Sequence, residues 1–274
     1  MKKQKKKLFV VGDIHSFYDE FKTALDKTEY DADNPNHLLI SLGDMFDRGP
    51  KSQEVLDFFN GINNKILIRG NHEDLLLDCL HRRFPYSHDI TNGTVRTIMN
   101  LGNVRPNSDN YYIPDNPQDF SKGAHIAYVK VIYLIDSMLN FYETENYIFV
   151  HSWIPVEYED TPKIVLGRPT YIYKEDWRTA HMSEWDSARW FNPFELAMRD
   201  MNQTGKTIVF GHWHTSWWRT HFGGEAHEFG PDASLDIIEI PDKKCIGVDG
   251  CTVSSGQVNI LCLEDFLLPE EKYE

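Results

Sequence analysis

Short apolar runs alternate with amphipathic segments along the N-terminal third of the chain. The apolar runs are residues 8–11, 37–42 and 66–68. Each has the length and composition of a buried strand, and apolar side chains recur at helical spacing in the segment that follows it. Alternating strands and helices are typical of crossover units, so the sequence predicts an α/β fold with a parallel or mixed sheet.

Further strand-like runs occupy the second half of the chain. They are Tyr147–Val150, Thr207–Phe210 and residues 235–240, 245–248 and 258–263. The last three have the spacing of antiparallel strands. Residues 81–125, between the two halves, are polar and rich in turn-forming residues. We therefore expect one domain, residues 1–274, with an inserted cap or loop region at about 81–140.

The composition narrows the class of protein. Hydrophobic residues make up 41% of the chain and charged residues 26%, which is typical of a soluble globular protein. The 28 basic and 42 acidic residues give a net charge of −14. Because nucleic-acid binding requires a basic surface, this acidity argues against duplex nucleic acid as a partner. The twelve histidines are unusual in so acidic a chain.

The cysteines and the lengths of the apolar runs indicate the cellular compartment of the protein. The four cysteines are not paired as CxxC, so neither a zinc knuckle nor a disulfide framework is expected. The basic start, MKKQKKK, precedes an apolar run too short for a signal peptide. No apolar run approaches the roughly 18 residues of a membrane helix. We expect a cytoplasmic protein without a membrane partner.

Five of the apolar runs end in side chains that commonly bind metal ions. The five segments are Gly12-Asp13-Ile14-His15, Gly43-Asp44, Gly70-Asn71-His72-Glu73, His151 and Gly211-His212-Trp213-His214. Ligand sites in α/β folds lie outside the carboxyl ends of strands, and a preceding glycine lets the backbone turn tightly there. One such segment alone is most often a turn. Five at the same end of predicted strands indicate a shared metal site.

In order and form, these segments resemble those of a known family. They are GDIHS (12–16), GDMFDRGP (43–50), RGNHE (69–73), HSW (151–153) and GHWHT (211–215). This pattern resembles the calcineurin-like metallophosphoesterases, within them the bacterial-type serine/threonine phosphoprotein phosphatases related to diadenosine tetraphosphatases. The resemblance covers about residues 8–263. Two departures are Ser16, where the family usually has glycine, and a second histidine, His214, which the wider superfamily shows.

The resemblance implies a fold and a set of metal ligands. The fold is a four-layer αββα sandwich of two mixed β-sheets flanked by helices, with a dinuclear metal site at the carboxyl ends of the strands. The implied ligands are Asp13 and His15 for one ion, Asn71, His151 and His212 for the other, and Asp44 as the bridge. His214 either adds a ligand to the first ion or faces solvent. This donor set suits Mn²⁺, with Fe or Zn²⁺ as alternatives.

Catalytic roles also follow from the resemblance. A metal-bridging hydroxide would attack phosphorus in line, without a phosphoenzyme. His72 would protonate the leaving oxygen as general acid, and Asp47 would fix its tautomer and raise its pKa. Arg48 and Asn71 would hold the phosphoryl oxygens. A simple turn that opens the next helix is the alternative for residues 47–50, but it leaves the histidine after Asn71 unexplained.

The family also has a second phosphate-binding arginine between the last two histidines. Arg189 is the first candidate here, and Arg168 is the alternative. Asn92-Gly93 and Arg96 either line the cleft or form a turn followed by an exposed helical arginine, and turn chemistry favours the second interpretation.

Three tryptophans follow the last motif. Trp213, Trp217 and Trp218 either stack a nucleobase or pack in the core and at its rim, and packing is the more common use of such side chains.

Three functions are compatible with these residues. The leading one is a phosphomonoesterase that acts on phosphoserine, phosphothreonine or a small phosphate ester. Symmetrical diadenosine tetraphosphate hydrolases share the ligand set, but they often replace the aspartate of the DRG motif, so Asp47 favours the monoesterase. A non-catalytic scaffold is less favoured, because all the implied ligands and His72 are present. The expected partner is a phosphoprotein or a small phosphorylated substrate.

Overall fold

The strands and helices follow the apolar pattern closely. The structure is a computed structural model that describes residues 5–104, 117–158 and 170–268. The strands are β1 (Lys5–Val11), β2 (His37–Ser41), β3 (Lys65–Leu67), β4 (Phe141–Glu143), β5 (Tyr147–Val150), β6 (Val156–Tyr158), β7 (Tyr171–Tyr173), β8 (Thr207–Phe210), β9 (Ile238–Ile240), β10 (Cys245–Gly247) and β11 (Ile260–Phe266). The helices are α1 (Tyr18–Asp26), α2 (Ser52–Gly61), α3 (Asn71–Arg82), α4 (Ser87–Thr91), α5 (Thr94–Leu101), α6 (Pro117–Asp136), α7 (Met182–Ala188), α8 (Pro193–Met198), α9 (Thr215–His221) and α10 (Thr252–Ser255), with short 3-10 helices at Trp177–Thr179 and Pro241–Lys243.

The strands form two mixed sheets. The first has the order β11-β1-β2-β3, in which β1, β2 and β3 are parallel and β11 is antiparallel to β1. The second has the order β4-β5-β8-β10-β9, with β5, β8 and β10 parallel and the two edge strands antiparallel. The last three runs form antiparallel pairs as expected, β9 with β10 and β11 with β1, and β10 is in addition parallel to β8. A crossover that contains α9 precedes β10 and brings it back parallel.

Apolar side chains divide the molecule into four layers. Between the sheets lie Leu8, Val10, Leu38 and Ile40 from the first and Phe149, Val209 and Ile246 from the second. On the outer face of the first sheet, Phe9, Val11 and Leu39 pack against α1, α2, α3, α5 and α6. On the outer face of the second, Ile148, Val150, Ile208 and Phe210 pack against α7, α8 and α9. Both faces of the central strands are therefore buried, which explains their uninterrupted apolar sequences and confirms the αββα sandwich.

The region at 81–140 contains more helix than its turn-rich sequence indicated. Within its described residues, α4, α5 and α6 replace the expected loops. The reason is that Val95, Ile98 and Met99 recur at helical spacing and bury one face of α5 in the core beside the first sheet. A capping role for this region stays a prediction. Among the described residues, no helix is both long and apolar enough to cross a membrane.

Candidate metal centre

Side chains from both sheets meet beyond the carboxyl ends of the strands. Ligand atoms of His15, Asp44 and His72 lie within 4.8 Å of one another, and so do those of Asp44, His151 and His212. Asp44 follows β2 in the first sheet, whereas His151 and His212 follow β5 and β8 in the second. Because Asp44 belongs to both groups, it occupies the position expected of a bridging ligand between two ions.

Backbone carbonyl oxygens orient two of the imidazoles through their Nδ1 atoms. His15 Nδ1 lies 3.0 Å from the Phe46 oxygen, and His151 Nδ1 lies 2.8 Å from the Leu42 oxygen. A ring that donates from Nδ1 to a carbonyl keeps its Nε2 lone pair for a metal ion. His151 Nε2 lies 2.8 Å from Asn71 Oδ1, so the amide oxygen faces the same space. This arrangement fits a metal ligand set.

Asp13 and Asp249 add two buried carboxylates to the site. The backbone N–H of His212 donates to Asp13 at 3.0 Å, and a Cβ on Gly211 would come within 2.3 Å of Asp13 Oδ1. Burial and the charges of Asp249 and Asp44 raise the pKa of Asp13 well above its usual range. Burial raises the pKa of Asp249 to about 6. Buried acids that share a site are neutralised either by protons or by a cation, and divalent ions could supply that positive charge here.

Asp249 was missed by the sequence analysis. It follows β10 at the same edge, and its Oδ1 accepts the backbone N–H of Cys251 at 2.8 Å. The sequence does contain a sign of this residue. Asp249-Gly250 follows the run at 245–248, much as Gly-Asp pairs follow two of the earlier runs.

His72 and Asp47 form a hydrogen-bonded pair. His72 Nδ1 lies 2.8 Å from Asp47 Oδ2, which also accepts the hydroxyl of Thr94 at 2.6 Å. The backbone N–H of Asp47 donates to Thr97 at 2.9 Å. Burial favours the neutral ring, but the carboxylates of Asp44 and Asp47 outweigh it and raise the pKa of His72. The geometry fits a general acid. The supporting threonines of α5 gave no signal in the sequence.

The exposed Arg48 side chain lies at the mouth of the site. Its Nη1 is 3.1 Å from His15 Nε2, and its Nη2 is 3.2 Å from His72 Nε2. Arg96 donates to the Arg48 carbonyl at 2.8 Å, and a Cβ on Gly93 would come within 2.3 Å of the Arg48 nitrogen. The turn at 92–93 and the helical position of Arg96 are as the favoured interpretation predicted. Arg96, however, is half-buried and not exposed, and both features border Arg48.

Glu73 organises the loop that carries Asp44. Its carboxylate accepts the backbone N–H groups of Asp44, Met45 and Gly70, each at 2.9 Å. Burial and the nearby charge of Asp44 raise the pKa of Glu73 to about 7. Glu73 belongs to the RGNHE motif, and glutamate at the third position of a helix is the sequence sign of a capping box.

Asp13 belongs to neither ligand group, and Arg189 and His214 are bound to partners outside both groups. Arg189 is buried, and its guanidinium donates to Asp74 at 2.7 Å and Asn140 at 2.9 Å and also pairs with Asp186. The internal partners hold this side chain, so the geometry gives no support to its phosphate-binding role. His214 Nε2 lies 2.9 Å from Glu228 Oε1 and belongs to neither group of candidate ligands. Arg168, the alternative arginine, lies outside the described residues.

Left-handed backbone conformations are concentrated in the loops of the site. They occur at His15 (φ 49°), Ser16 (60°), Asp44 (49°), Asp47 (71°), Arg48 (63°) and His212 (65°). Such conformations cost energy in residues other than glycine and persist where the surroundings impose them. The value at Ser16 explains why glycine is usual at this position of the motif, and the Ser16 hydroxyl is 2.8 Å from that of Ser52.

A cavity of about 460 Å³ opens beside the ligand groups. Its lining includes His15, Arg48, His212, Asp249 and two tryptophans, Trp190 and Trp213. Trp218 is buried, and Trp217 packs with it in the core beside the second sheet. The packing interpretation therefore holds for these two, whereas Trp213 packs on that core and also borders the cavity.

The fold and the shared carboxylate define a metallophosphoesterase. A sequence model of the calcineurin-like phosphoesterase family matches residues 6–246, and the chain therefore belongs to that family. This confirms the predicted calcineurin-like family.

Curated relatives match a shorter part of the chain. The symmetrical bis(5'-nucleosyl)-tetraphosphatase of Nitrosococcus oceani is 38% identical over 71 residues, 26% of this chain and 25% of the relative. The corresponding protein of Buchnera aphidicola is 36% identical over 66 residues, 24% of this chain and 23% of the relative. The matches thus span about a quarter of the length of these relatives.

Solved structures resemble the chain over nearly its whole length. A cold-active protein tyrosine phosphatase has a TM-score of 0.50 at 16% identity, covering 98% of this chain and 80% of that one. A protein serine/threonine phosphatase from Saccharomyces cerevisiae has a TM-score of 0.44 at 15% identity, with 97% and 81% covered. At 16% identity, the likeness to the cold-active tyrosine phosphatase describes the fold alone.

Proposed function

We propose that this protein hydrolyses phosphate monoesters with the help of two divalent ions, of which Mn²⁺ is the first candidate. The observation that carries the proposal is the His72–Asp47 pair beside the carboxylate that two ligand groups share. When bound, two such ions would lower the pKa of a water molecule and neutralise charge on the phosphoryl group. The ligands assigned to them are Asp13, His15, Asp44, Asn71, His151 and His212.

The remaining roles belong to side chains at the mouth of the site. Protonated His72 gives its proton to the leaving oxygen, and Asp47 holds the ring in the tautomer that presents Nε2. Arg48 provides a planar pair of donors for the phosphoryl oxygens. Arg48 contacts both His15 and His72, so a phosphate group bound by its guanidinium lies close to the His72 imidazole, the proposed general acid.

A second candidate substrate is a dinucleoside polyphosphate. The curated relatives named as symmetrical tetraphosphatases favour it. The His72–Asp47 pair favours the monoester instead, because an alkoxide leaving group needs a proton more than a phosphate does. A panel of phosphopeptides, dinucleoside polyphosphates and small phosphate esters, compared by kcat/KM, decides between the two.

The test of the shared carboxylate is Asp44→Asn. We expect the wild type to retain about two Mn²⁺ per chain and to hydrolyse p-nitrophenyl phosphate. The variant should lose at least one ion and more than about 100-fold in activity, since it removes the bridging charge. Metal analysis and a colorimetric assay measure both. Asp57→Asn, at an exposed position of α2, is the control that should change neither.

Two results would contradict this assignment. Full activity with both ions retained in Asp44→Asn would remove the bridging role. A wild-type protein that holds no metal and turns over no substrate would favour the scaffold.

A further inference from the structure

Two tryptophans border the candidate metal centre on its open side. The Trp190 ring centroid lies 6.3 Å from that of His212, at an interplanar angle of 86°. The Trp213 ring lies 6.4 Å from the same histidine, at 66°. Both indoles line the cavity of about 460 Å³ together with Arg48 and Asp249. Any phosphate held at His212 would therefore have aromatic surface beside it.

Trp190 is more exposed to solvent than the aromatic residues near it in sequence. Its exposed fraction is 52%, whereas Trp185, five residues earlier on α7, is 2% exposed. Phe191, the next residue, packs on the core beside the second sheet. A single exposed aromatic is unremarkable on a protein surface. Here the exposed ring lines the same cavity as a candidate metal ligand, which gives it a substrate-facing position.

Trp213 is held in place by other aromatic rings. It packs edge to face on Trp217, with centroids 5.3 Å apart at 80°. Trp217 is in turn stacked on Phe194 at 6.0 Å and on His221 at 4.2 Å. The Trp213 indole is thus fixed before any ligand arrives, so that binding against it costs little ordering of the protein.

We propose that Trp190 and Trp213 form a subsite for an aromatic ring that the substrate carries on its phosphate. This inference rests on the proposed function. The cavity volume is within the range of small-molecule sites and exceeds what a lone phosphate needs. A nucleobase or a phenyl ring supplies the shared chemistry, a flat π-surface that stacks on indole. A purely aliphatic phosphate ester leaves both tryptophans without contact.

The test compares ligands that differ only in the base. Binding of AMP and of ribose 5-phosphate is measured by calorimetry on the metal-free protein, and as competitive inhibition of p-nitrophenyl phosphate hydrolysis on the Mn²⁺-loaded protein. We expect Trp190→Ala to weaken AMP binding about tenfold and to leave ribose 5-phosphate unchanged, because stacking acts on the base alone. Trp190→Phe should restore AMP binding to within about threefold. Tyr133→Ala, 83% exposed on α6, is the matched control that should change neither ligand.

Turnover separates this subsite from the proposed function. Trp190→Ala should lower kcat/KM for an aromatic phosphate ester about tenfold more than kcat/KM for glycerol phosphate, and an unchanged melting temperature shows that the variant is folded. Phenyl phosphate and a dinucleoside polyphosphate should each be tested, and a loss confined to one of them identifies the ring that the subsite takes. If no phosphate ester is hydrolysed by the wild type, the proposed function fails, while the AMP comparison still decides the subsite.

Three outcomes would overturn the subsite. The first is equal binding of AMP and ribose 5-phosphate by the wild type. The second is an equal loss of both ligands in Trp190→Ala, which would assign Trp190 a structural role. The third is unchanged AMP binding in that variant.

Discussion

The two carboxylate oxygens of Asp47 have unequal surroundings. Oδ2 accepts hydrogen bonds from His72 and Thr94, whereas Oδ1 is buried and has no hydrogen-bond partner among the described residues. In a buried site, such a charge interacts more strongly with its neighbours than it would in water. Asp47 therefore acts mainly on the His72 imidazole, and its removal should be seen in the protonation of that ring.

Asp47→Asn tests this action on His72. Because Asp47 helps to raise the pKa of His72, we expect the alkaline limb of the pH profile of kcat/KM to move to lower pH. The rate with poor leaving groups should fall by about 10²–10⁴, with a smaller loss for p-nitrophenol, which leaves without a proton. Steady-state kinetics over a series of aryl and alkyl phosphates measures both effects. An unchanged pH profile would show that Asp47 has no influence on the acid.

At the scale of elements, α5 supports the loop that carries Asp47 and Arg48. Thr94 and Thr97 bond to Asp47, and Arg96 bonds to the Arg48 carbonyl. The helix is itself anchored by its apolar face in the core beside the first sheet. A helix from the turn-rich part of the sequence thus holds the loop of Asp47 and Arg48 in its left-handed conformations.

Gly93→Ala tests this support at the start of α5. Gly93 has φ +83°, and a Cβ there would come within 2.3 Å of the Arg48 nitrogen. We expect the loop to shift and kcat/KM to fall at least about tenfold, with about 1–2 kcal/mol of stability lost to the left-handed conformation alone. Gly205→Ala has nearly the same φ, +81°, and open space around it, so it should lose similar stability at full activity. Urea unfolding measures the loss of stability, and steady-state kinetics measures the change in kcat/KM.

The elements that carry the candidate ligands were predictable, because each strand is buried on both faces. Tyr147–Val150 and Thr207–Phe210 are strands at the predicted bounds, and the ligand-type residues follow them. The α5 contacts were not predictable, since a threonine that bonds to Asp47 has the same local sequence signal as any helical threonine. Arg189 shows the same limit, because its direction depends on Asp74 and Asn140, which are distant in sequence.

At the scale of the whole molecule, the site lies where the two sheets meet. Asp13 and Asp44 come from the first sheet, and His151, His212 and Asp249 from the second. The buried acids repel one another unless a cation lies between them. Bound ions would therefore hold the two halves of the sandwich together as well as assist chemistry, and ion binding to the folded state alone stabilises it.

Asp249→Asn tests this balance of charge. Burial raises the pKa of Asp249 from 3.8 to about 6, so its ionised form opposes folding once the pH rises above that value. In metal-free protein at pH 7, we expect the variant to be more stable than wild type by about 2–3 kcal/mol, and the gain to vanish near pH 4. Urea unfolding with EDTA measures this.

Saturating Mn²⁺ should reduce or reverse the gain of Asp249→Asn, because the ions then balance the carboxylate. Asp242→Asn, at an exposed position, is the control without effect. A gain that is equal at pH 4 and pH 7 would show that charge is not its cause.

The pairing of β1 with β11 has a consequence for biosynthesis. Lys5–Val11 lies at the centre of the first sheet, yet one of its partners is Ile260–Phe266, made more than two hundred residues later. Chains emerge from the ribosome N-terminal end first. A nascent chain therefore displays Asp13, His15 and Asp44 long before His212 and Asp249 exist to complete their surroundings. The candidate ligands of the two sheets can therefore come together only after residues 207–249 have been synthesised.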